Sequence, residues 1–177
     1  MIEKEPNFTS ENTGILLMSH GSRHPLASET FNKIADMFRE ETDFKVNVGY
    51  MEIHEPNIPK ALDELVKGTK IDTIIAVPVF LAHGMHTTRD IPKILRLTDD
   101  EATDDQNTPK HHSHEEKHHS SNEDHSHEEK HQHGHHHHHD LEKIDFDGKI
   151  IYTEPLGADS LVIEIIKNRV NNALKIK

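Results

Sequence analysis

Gly14-Ile-Leu-Leu-Met-Ser-His-Gly-Ser-Arg23 is an apolar run that gives way within a few residues to small and polar ones. A run this short, bounded by glycine and serine, reads as a buried strand from Gly14 to Ser19. Downstream, Leu26, Phe31, Ile34, Ala35 and Phe38 recur at spacings close to a helical turn, which predicts an amphipathic helix over Leu26 to Glu41. Val46 to Ile53 alternates around Val46, Val48 and Tyr50 and reads as a second strand. Pro56 is expected to open a helix with Ile58, Ala61, Leu62, Leu65 and Val66 on one face, closed by Gly68. Ile71 to Leu81 is the most hydrophobic stretch and the third strand; Pro78, which cannot donate to a ladder, belongs near its exit or beside an irregularity. Thr87 or Thr88 is placed as the cap of a helix reaching about Leu97, with Ile91, Ile94 and Leu95 inward. Lys149 to Thr153 gives a fourth strand, and Ser160 to Leu174 a last helix with Leu161, Ile165, Ile166 and Val170 on one stripe. Strands alternating with helices define an α/β fold: one domain with a four-stranded parallel sheet covered by helices on both faces.

One segment stands outside this alternation. Between Asp99 and Lys143, 45 residues hold 14 of the 19 histidines and only two apolar side chains, Ala102 and Leu141. They carry 13 acidic and 4 basic residues, so of the net charge of −12 the other 132 residues hold only three. Without the segment the apolar fraction rises from 32% to roughly 42%, an ordinary globular composition. We therefore expect a single domain over 1–177, with a core of 13–98 and 144–177 and a disordered, low-complexity insertion at 99–143.

Several classes of function fall away. The longest apolar run, Ile74 to Ala82, has about half the length needed to span a bilayer. The start, MIEKEPNFTS, lacks the basic and apolar regions of a signal peptide. With no cysteine there are no disulfides, thiolate metal sites or cysteine nucleophiles. The near-neutral to acidic body lacks the basic footprint of a nucleic-acid binder. The expectation is a cytoplasmic protein without nucleic-acid or membrane partners.

In a parallel sheet the ligand crevice lies beyond the carboxyl ends of the strands. Five histidines outside the tract fall at such exits: His20 and His24 after the first strand, His54 after the second, His83 and His86 after the third. A single histidine is most often a hydrogen-bonded surface residue; five converging on one rim are harder to read that way. Neutral imidazole binds late first-row metals and accepts protons near pH 7. Only one or two ligands look well placed, too few for a closed structural site, which suits a metal in transit or in catalysis. Ser19-His20-Gly21-Ser22 is not a nucleophile elbow, and neither a Walker loop nor a dinucleotide fingerprint is present.

Four motifs in order then become specific together: Ser19-His20-Gly21-Ser22-Arg23, Tyr50-Met51-Glu52-Ile53-His54-Glu55-Pro56, the stretch Pro78 to Pro92 (PVFLAHGMHTTRDIP), and Glu154-Pro155-Leu156-Gly157-Ala158-Asp159. They resemble the short class II chelatases, and more narrowly the archaeal sirohydrochlorin cobalt or nickel chelatases, across nearly the whole chain outside the tract. The resemblance implies a lyase that inserts a divalent metal into sirohydrochlorin, a tetrapyrrole with eight carboxylates, releasing two protons. Cobalt would serve cobalamin synthesis, and nickel the nickel tetrapyrrole coenzyme of methanogenesis. No prosthetic group is implied; cobalt or nickel is the substrate metal. The short members are implied to be homodimers with the tetrapyrrole in a cleft. Carried over by position, His20 matches the catalytic, proton-accepting and metal-binding histidine, and His86 the second metal ligand. Glu55 and the segment Leu81, Ala82, His83, Gly84, Met85 and His86 match substrate-contacting positions.

The chemistry fits those roles, because one neutral histidine over the ring can deliver metal and then take protons. Arg23, Arg89 and the amides around Thr87 to Arg89 are candidates for the substrate carboxylates, the alternative for the arginines being solvated or ion-paired surface groups. Glu52 is open between orienting a histidine, balancing the metal charge and a structural place at a strand end. His83 is open between a further ligand and a surface residue. In the tract, His135 to His139, His111-His112-Ser113-His114 and two copies of Ser-His-Glu-Glu-Lys bind late transition metals with little selectivity. The tract reads as a metal reservoir dispensable for the reaction, or as a solubilising loop. The competing function is a non-enzymatic metal store or metallochaperone that uses the tract alone.

Overall fold

The computed structural model describes residues 7–98 and 141–175. The histidine tract lies almost wholly outside these residues. The described elements are β1 (Thr13–Ser19), α1 (Pro25–Glu40), β2 (Lys45–Tyr50), α2 (Ile58–Val66), β3 (Thr73–Pro78), a π turn (His86–Asp90), α3 (Ile91–Ile94), β4 (Lys149–Tyr152) and α4 (Ser160–Lys175). The sheet has the order β2-β1-β3-β4, and every pairing is parallel.

β1 is central, which explains its unbroken apolar sequence. Its alternate side chains enter two different cores. Leu16 and Met18 pack with Ile58, Ala61, Leu62 and Leu65 of α2 and with Ile91 and Ile94 of α3. Ile15 and Leu17 face the other way, onto Phe31 and Ala35 of α1 and Val46 and Val48 of β2. The strand order accounts for this split. The chain moves one way from β1 to β2 and back across β1 to β3, so right-handed crossovers put α1 and α2 on opposite faces. The four-stranded parallel sheet with helices on both faces is the architecture expected from the sequence.

Several boundaries differ from expectation. The second strand stops at Tyr50 rather than Ile53, because the chain leaves the ladder and Ile53 takes a positive φ of 72°. Pro56 does not open α2; Asn57 caps it, its side chain accepting from Lys60 N at 2.9 Å, and Pro59 sits in the first turn. Gly68, at φ 70°, follows the helix end as expected. The third strand covers only Thr73–Pro78, with Pro78 as its last residue. The helix after it does not begin at a threonine cap. It starts as a π turn at His86, and the Thr87 and Thr88 hydroxyls both donate to the Gly84 carbonyl.

On the far side of the tract, Leu141 packs against the α2/α3 core, Ile144 is buried, and its N–H donates to Ile94 O at 3.0 Å. Glu142 accepts from the Asn57 amide at 2.9 Å. The last helix is the exception to the packing pattern. No side chain of α4 is buried, and Leu161, Ile163, Ile165, Ile166, Val170 and Leu174 are all exposed. Among the described residues no helix is long and apolar enough to cross a membrane.

Leu62 is fully buried where α2 meets β1. Leu62→Ala should lower the unfolding free energy by about 2–5 kcal/mol, the range for a core leucine replaced by alanine. Denaturant unfolding checks this, with a shifted midpoint and an unchanged slope.

Candidate metal centre

The site forms where the exits of β1 and β2 stay bonded beyond their ladder. Met51 N donates to Ser19 O and Glu52 N to His20 O, each at 3.0 Å. The two loops are therefore joined at the residues that carry His20 and Glu52. Gly21 makes the approach possible. It sits at φ 91°, and a Cβ there would collide with the Glu52 carbonyl. His54 adds a second tie, its Nε2 bonded to Ser22 O, while its ring leans on Tyr50 at 5.3 Å between centroids.

The third component comes from the π turn after β3. His20 and His86 meet edge to face, with centroids 4.7 Å apart and planes at 65°. Nitrogens from His20 and His86 and a carboxylate oxygen of Glu52 all lie within 4.8 Å of one another. Both rings have their Nδ1 occupied. His20 Nδ1 lies 3.0 Å from the Gly21 carbonyl, which only accepts, so that nitrogen carries the proton. His86 Nδ1 lies 2.8 Å from Asp90 Oδ2. Each ring is left with Nε2 for a ligand, and His20 Nε2 stands 4.0 Å from Glu52 Oε1. All three side chains are between a third and about a half exposed. Two imidazoles and a carboxylate suit a divalent late first-row ion and leave coordination positions open.

Of the positions matched to substrate contact, Leu81, Ala82 and His83 line a cleft of about 470 Å³, closed on the other side by Glu154, Pro155 and Ala158. The cleft thus joins the third and fourth sequence motifs. His83 Nε2 bonds Glu154 Oε2 at 2.6 Å, so His83 is paired with a carboxylate at the cleft and is not one of the three clustered ligands. Gly84 serves the π turn, Met85 is exposed, and neither lines the cleft. Glu55 is engaged locally: it accepts from Asn57 N at 3.0 Å and pairs with Lys60 Nζ at 2.9 Å. The Lys60 hydrogen bond holds its carboxyl below the usual range. Arg89 donates through Nε to Asp90 Oδ1, whereas Arg23 has no ion-pair partner among the described residues. His24 caps α1, accepting from Leu26 N.

Two residues that sequence reasoning did not single out support the π turn. Asp90 stands behind His86, and its signal was present as a four-residue helical spacing. Tyr152, at the end of β4, donates its hydroxyl to Thr87 O at 2.8 Å, a tertiary contact with no local signature.

The protein is thus a parallel α/β sheet that carries an open two-histidine, one-carboxylate set at its carboxyl rim, a donor set that could hold a metal ion. The CbiX family profile matches residues 14–173, and the chain belongs to that family. It is 43% identical over 161 residues to a sirohydrochlorin cobaltochelatase of Methanothermobacter thermautotrophicus, covering 91% of this chain and 92% of that protein. It is 45% identical over 159 residues to a protein of the same name from Methanocaldococcus jannaschii, covering 88% and 95%. The fold is shared with a crystal structure of a CbiX protein from Marinobacter aquaeolei VT8, at a TM-score of 0.58, 21% identity and coverage of 92% and 95%.

Burial, reinforced by the charge of Glu154, pushes the Tyr152 phenol up to about 12; burial also raises Tyr50. A raised phenol keeps its proton, so Tyr152 remains a donor to Thr87 O through the neutral range. An unfolded phenol loses its proton near 10, so the stability linked to this group is complete below pH 10 and falls as pH rises toward about 12. Ultraviolet titration of the two tyrosines should show neither half-ionised at pH 10 in the folded protein.

Proposed function

We propose that this chain inserts divalent cobalt or nickel into sirohydrochlorin. The observation that carries the reading is the clustering of His20, Glu52 and His86 within 4.8 Å at the sheet rim. The chelatases named among its relatives supply the substrate. The metal is a substrate here and not a resident cofactor, and imidazole and carboxylate accept either ion.

Insertion removes two pyrrole protons and exchanges the metal's ligands for ring nitrogens. His20 and His86 hold the incoming ion through Nε2, and Glu52 offsets its charge. Once His20 has released the ion to the ring, its Nε2 lone pair takes one pyrrole proton and the second passes to water at the open site, so one side chain serves as ligand and then as base. The open, partly exposed geometry favours release, since a closed four-ligand site would retain the ion. The apolar walls of the Leu81–Ala158 cleft suit the ring face, and Arg23 is available to a peripheral carboxylate. The tract acts as a metal reservoir that the reaction itself does not require.

The reading includes a homodimer. The apolar stripe of α4 has no cover among the described residues, and Ile75, Val77 and Val79 of the α1-side core are only partly buried. A second copy presents the same stripe, as a two-fold interface requires. Leu161→Glu with Ile165→Glu should shift the sedimentation mass from dimer to monomer; a wild-type monomer would sink this part of the reading.

Mixing protein, sirohydrochlorin and cobalt or nickel and following the absorbance shift of metalation tests the activity. His20→Ala should slow insertion by about 10²–10⁴-fold, the usual contribution of a positioned acid–base group, and His86→Ala should also slow it. Replacing residues 101–140 by a short Gly-Ser linker should leave the rate at saturating metal unchanged. Wild-type rates in both histidine variants would refute the chelatase, and loss of all insertion on tract replacement would show that the tract is required.

A further inference from the structure

The two histidines of the centre are backed differently. Behind His20 stands a neutral backbone carbonyl, Gly21 O. Behind His86 stands a carboxylate, and both of its oxygens are committed. Asp90 Oδ2 takes His86 Nδ1 at 2.8 Å and Oδ1 takes Arg89 Nε at 2.8 Å. The Asp90 side chain is only 13% exposed against 37% for His86, so the acid is the sheltered member of the pair and the ring is the accessible one. An exposed helical ion pair would have both members in solvent and would contribute little.

The backbone under this pair is unusually constrained. Ile91 N donates to His86 O, a five-residue step that makes the π turn. The next such donor would serve Thr87 O, but that position is Pro92, which has no N–H. The Tyr152 hydroxyl takes over that carbonyl. At the other end the Thr87 hydroxyl accepts from Gly84 N at 2.9 Å, and Thr87 is itself buried. The turn is thus tied from β4 and from the β3 exit, and His86 and Asp90 cannot drift apart without breaking those ties.

From this geometry we propose that Asp90 is a positioning residue for His86. It holds the ring in the tautomer with the proton on Nδ1, and keeps Nε2 aimed at His20 and Glu52. An imidazole without such a partner divides between two tautomers and rotates about its side-chain bonds; one hydrogen-bonded to a carboxylate does neither and is the stronger metal ligand. The centre therefore grips its ion unequally, more firmly through His86 than through His20. The tautomer assignment stands on the structure alone, whereas its consequence for metal transfer rests on the chelatase reading.

Long-range proton–nitrogen correlation spectra of the ¹⁵N-labelled full chain test the first part, with the His86 ring identified by its absence from the His86→Gln spectrum. Wild type should show His86 protonated on Nδ1. Asp90→Asn, whose amide oxygen still accepts, should keep that tautomer, and Asp90→Ala should give a mixture. Metalation kinetics test the second part. Asp90→Ala should raise KM for cobalt by about 10–100-fold, the usual effect of losing a group behind a metal-bound histidine. It should leave KM for sirohydrochlorin unchanged, with Asp90→Asn closer to wild type. A mixed tautomer in wild type, or an unchanged tautomer in Asp90→Ala, overturns the proposal. Equal changes in both KM values would mark a structural role only and overturn the positioning of metal. Inactive wild type with the expected tautomers would remove the chelatase reading and leave the Asp90–His86 assignment standing.

Discussion

Two backbone hydrogen bonds past the ends of β1 and β2 hold the site together: Met51 N to Ser19 O and Glu52 N to His20 O. They continue the parallel pairing of the strands onto loops that no longer have strand geometry. Their existence depends on β1 being central and buried on both sides, because only then is its exit a rigid origin for the loops around it. Gly21 is the condition for the close approach, since any side chain there would strike the Glu52 carbonyl. A candidate metal ligand and the carboxylate beside it are therefore placed by main-chain bonds, at the end of the most buried of the described strands.

The third member of the cluster reaches the same point by another route. β3 ends at Pro78, and the chain makes a turn past Gly84 before Pro92 prevents an ordinary helix from forming through His86. The proline removes a donor, the turn widens, and a side chain from β4 supplies the missing bond. His86 is thus tied to two strands at once. A local defect in helix geometry is stabilised by sheet topology, and this brings the His86 ring within 4.7 Å of His20.

The sheet was legible in the sequence because burial on both faces leaves continuous apolar runs, as in Leu16-Leu17-Met18 and Ile74-Ile75-Ala76-Val77. Strand ends were less so. Met51 and Ile53 are apolar and lengthen the apolar stretch past β2, yet Met51 packs against the core from a loop and Ile53 is exposed at positive φ. Hydrophobicity reports burial, and burial does not stop where the ladder does. Five histidines could be placed at strand exits, and the resemblance to the chelatases singled out His20 and His86 among them. Glu52 stayed open among three roles because its distance to them depends on the inter-loop bonds. Asp90 was hidden in a stretch read as ordinary helix, and Tyr152 acts on a residue 65 positions away. The stripe of α4, exposed among the described residues, was visible as amphipathicity, but periodicity cannot say what an apolar face meets.

The same distribution of constraint bears on what an exposed donor set of this kind needs if it is to hand on an ion. A site that must surrender its ion has to keep open coordination positions, so it cannot gain precision by adding ligands. Precision must come from what lies behind the ligands. Here the carbonyl of Gly21, the carboxylate of Asp90 and the phenol of Tyr152 are each on the protein side of the histidines or of their backbone, and Asp90 is more sheltered than the ring it supports. The fourteen histidines of the tract are interleaved with small polar and acidic residues. Abundant imidazole is enough to gather metal, but directing it requires a fixed lone pair, and that depends on the backing of individual rings and not on their number.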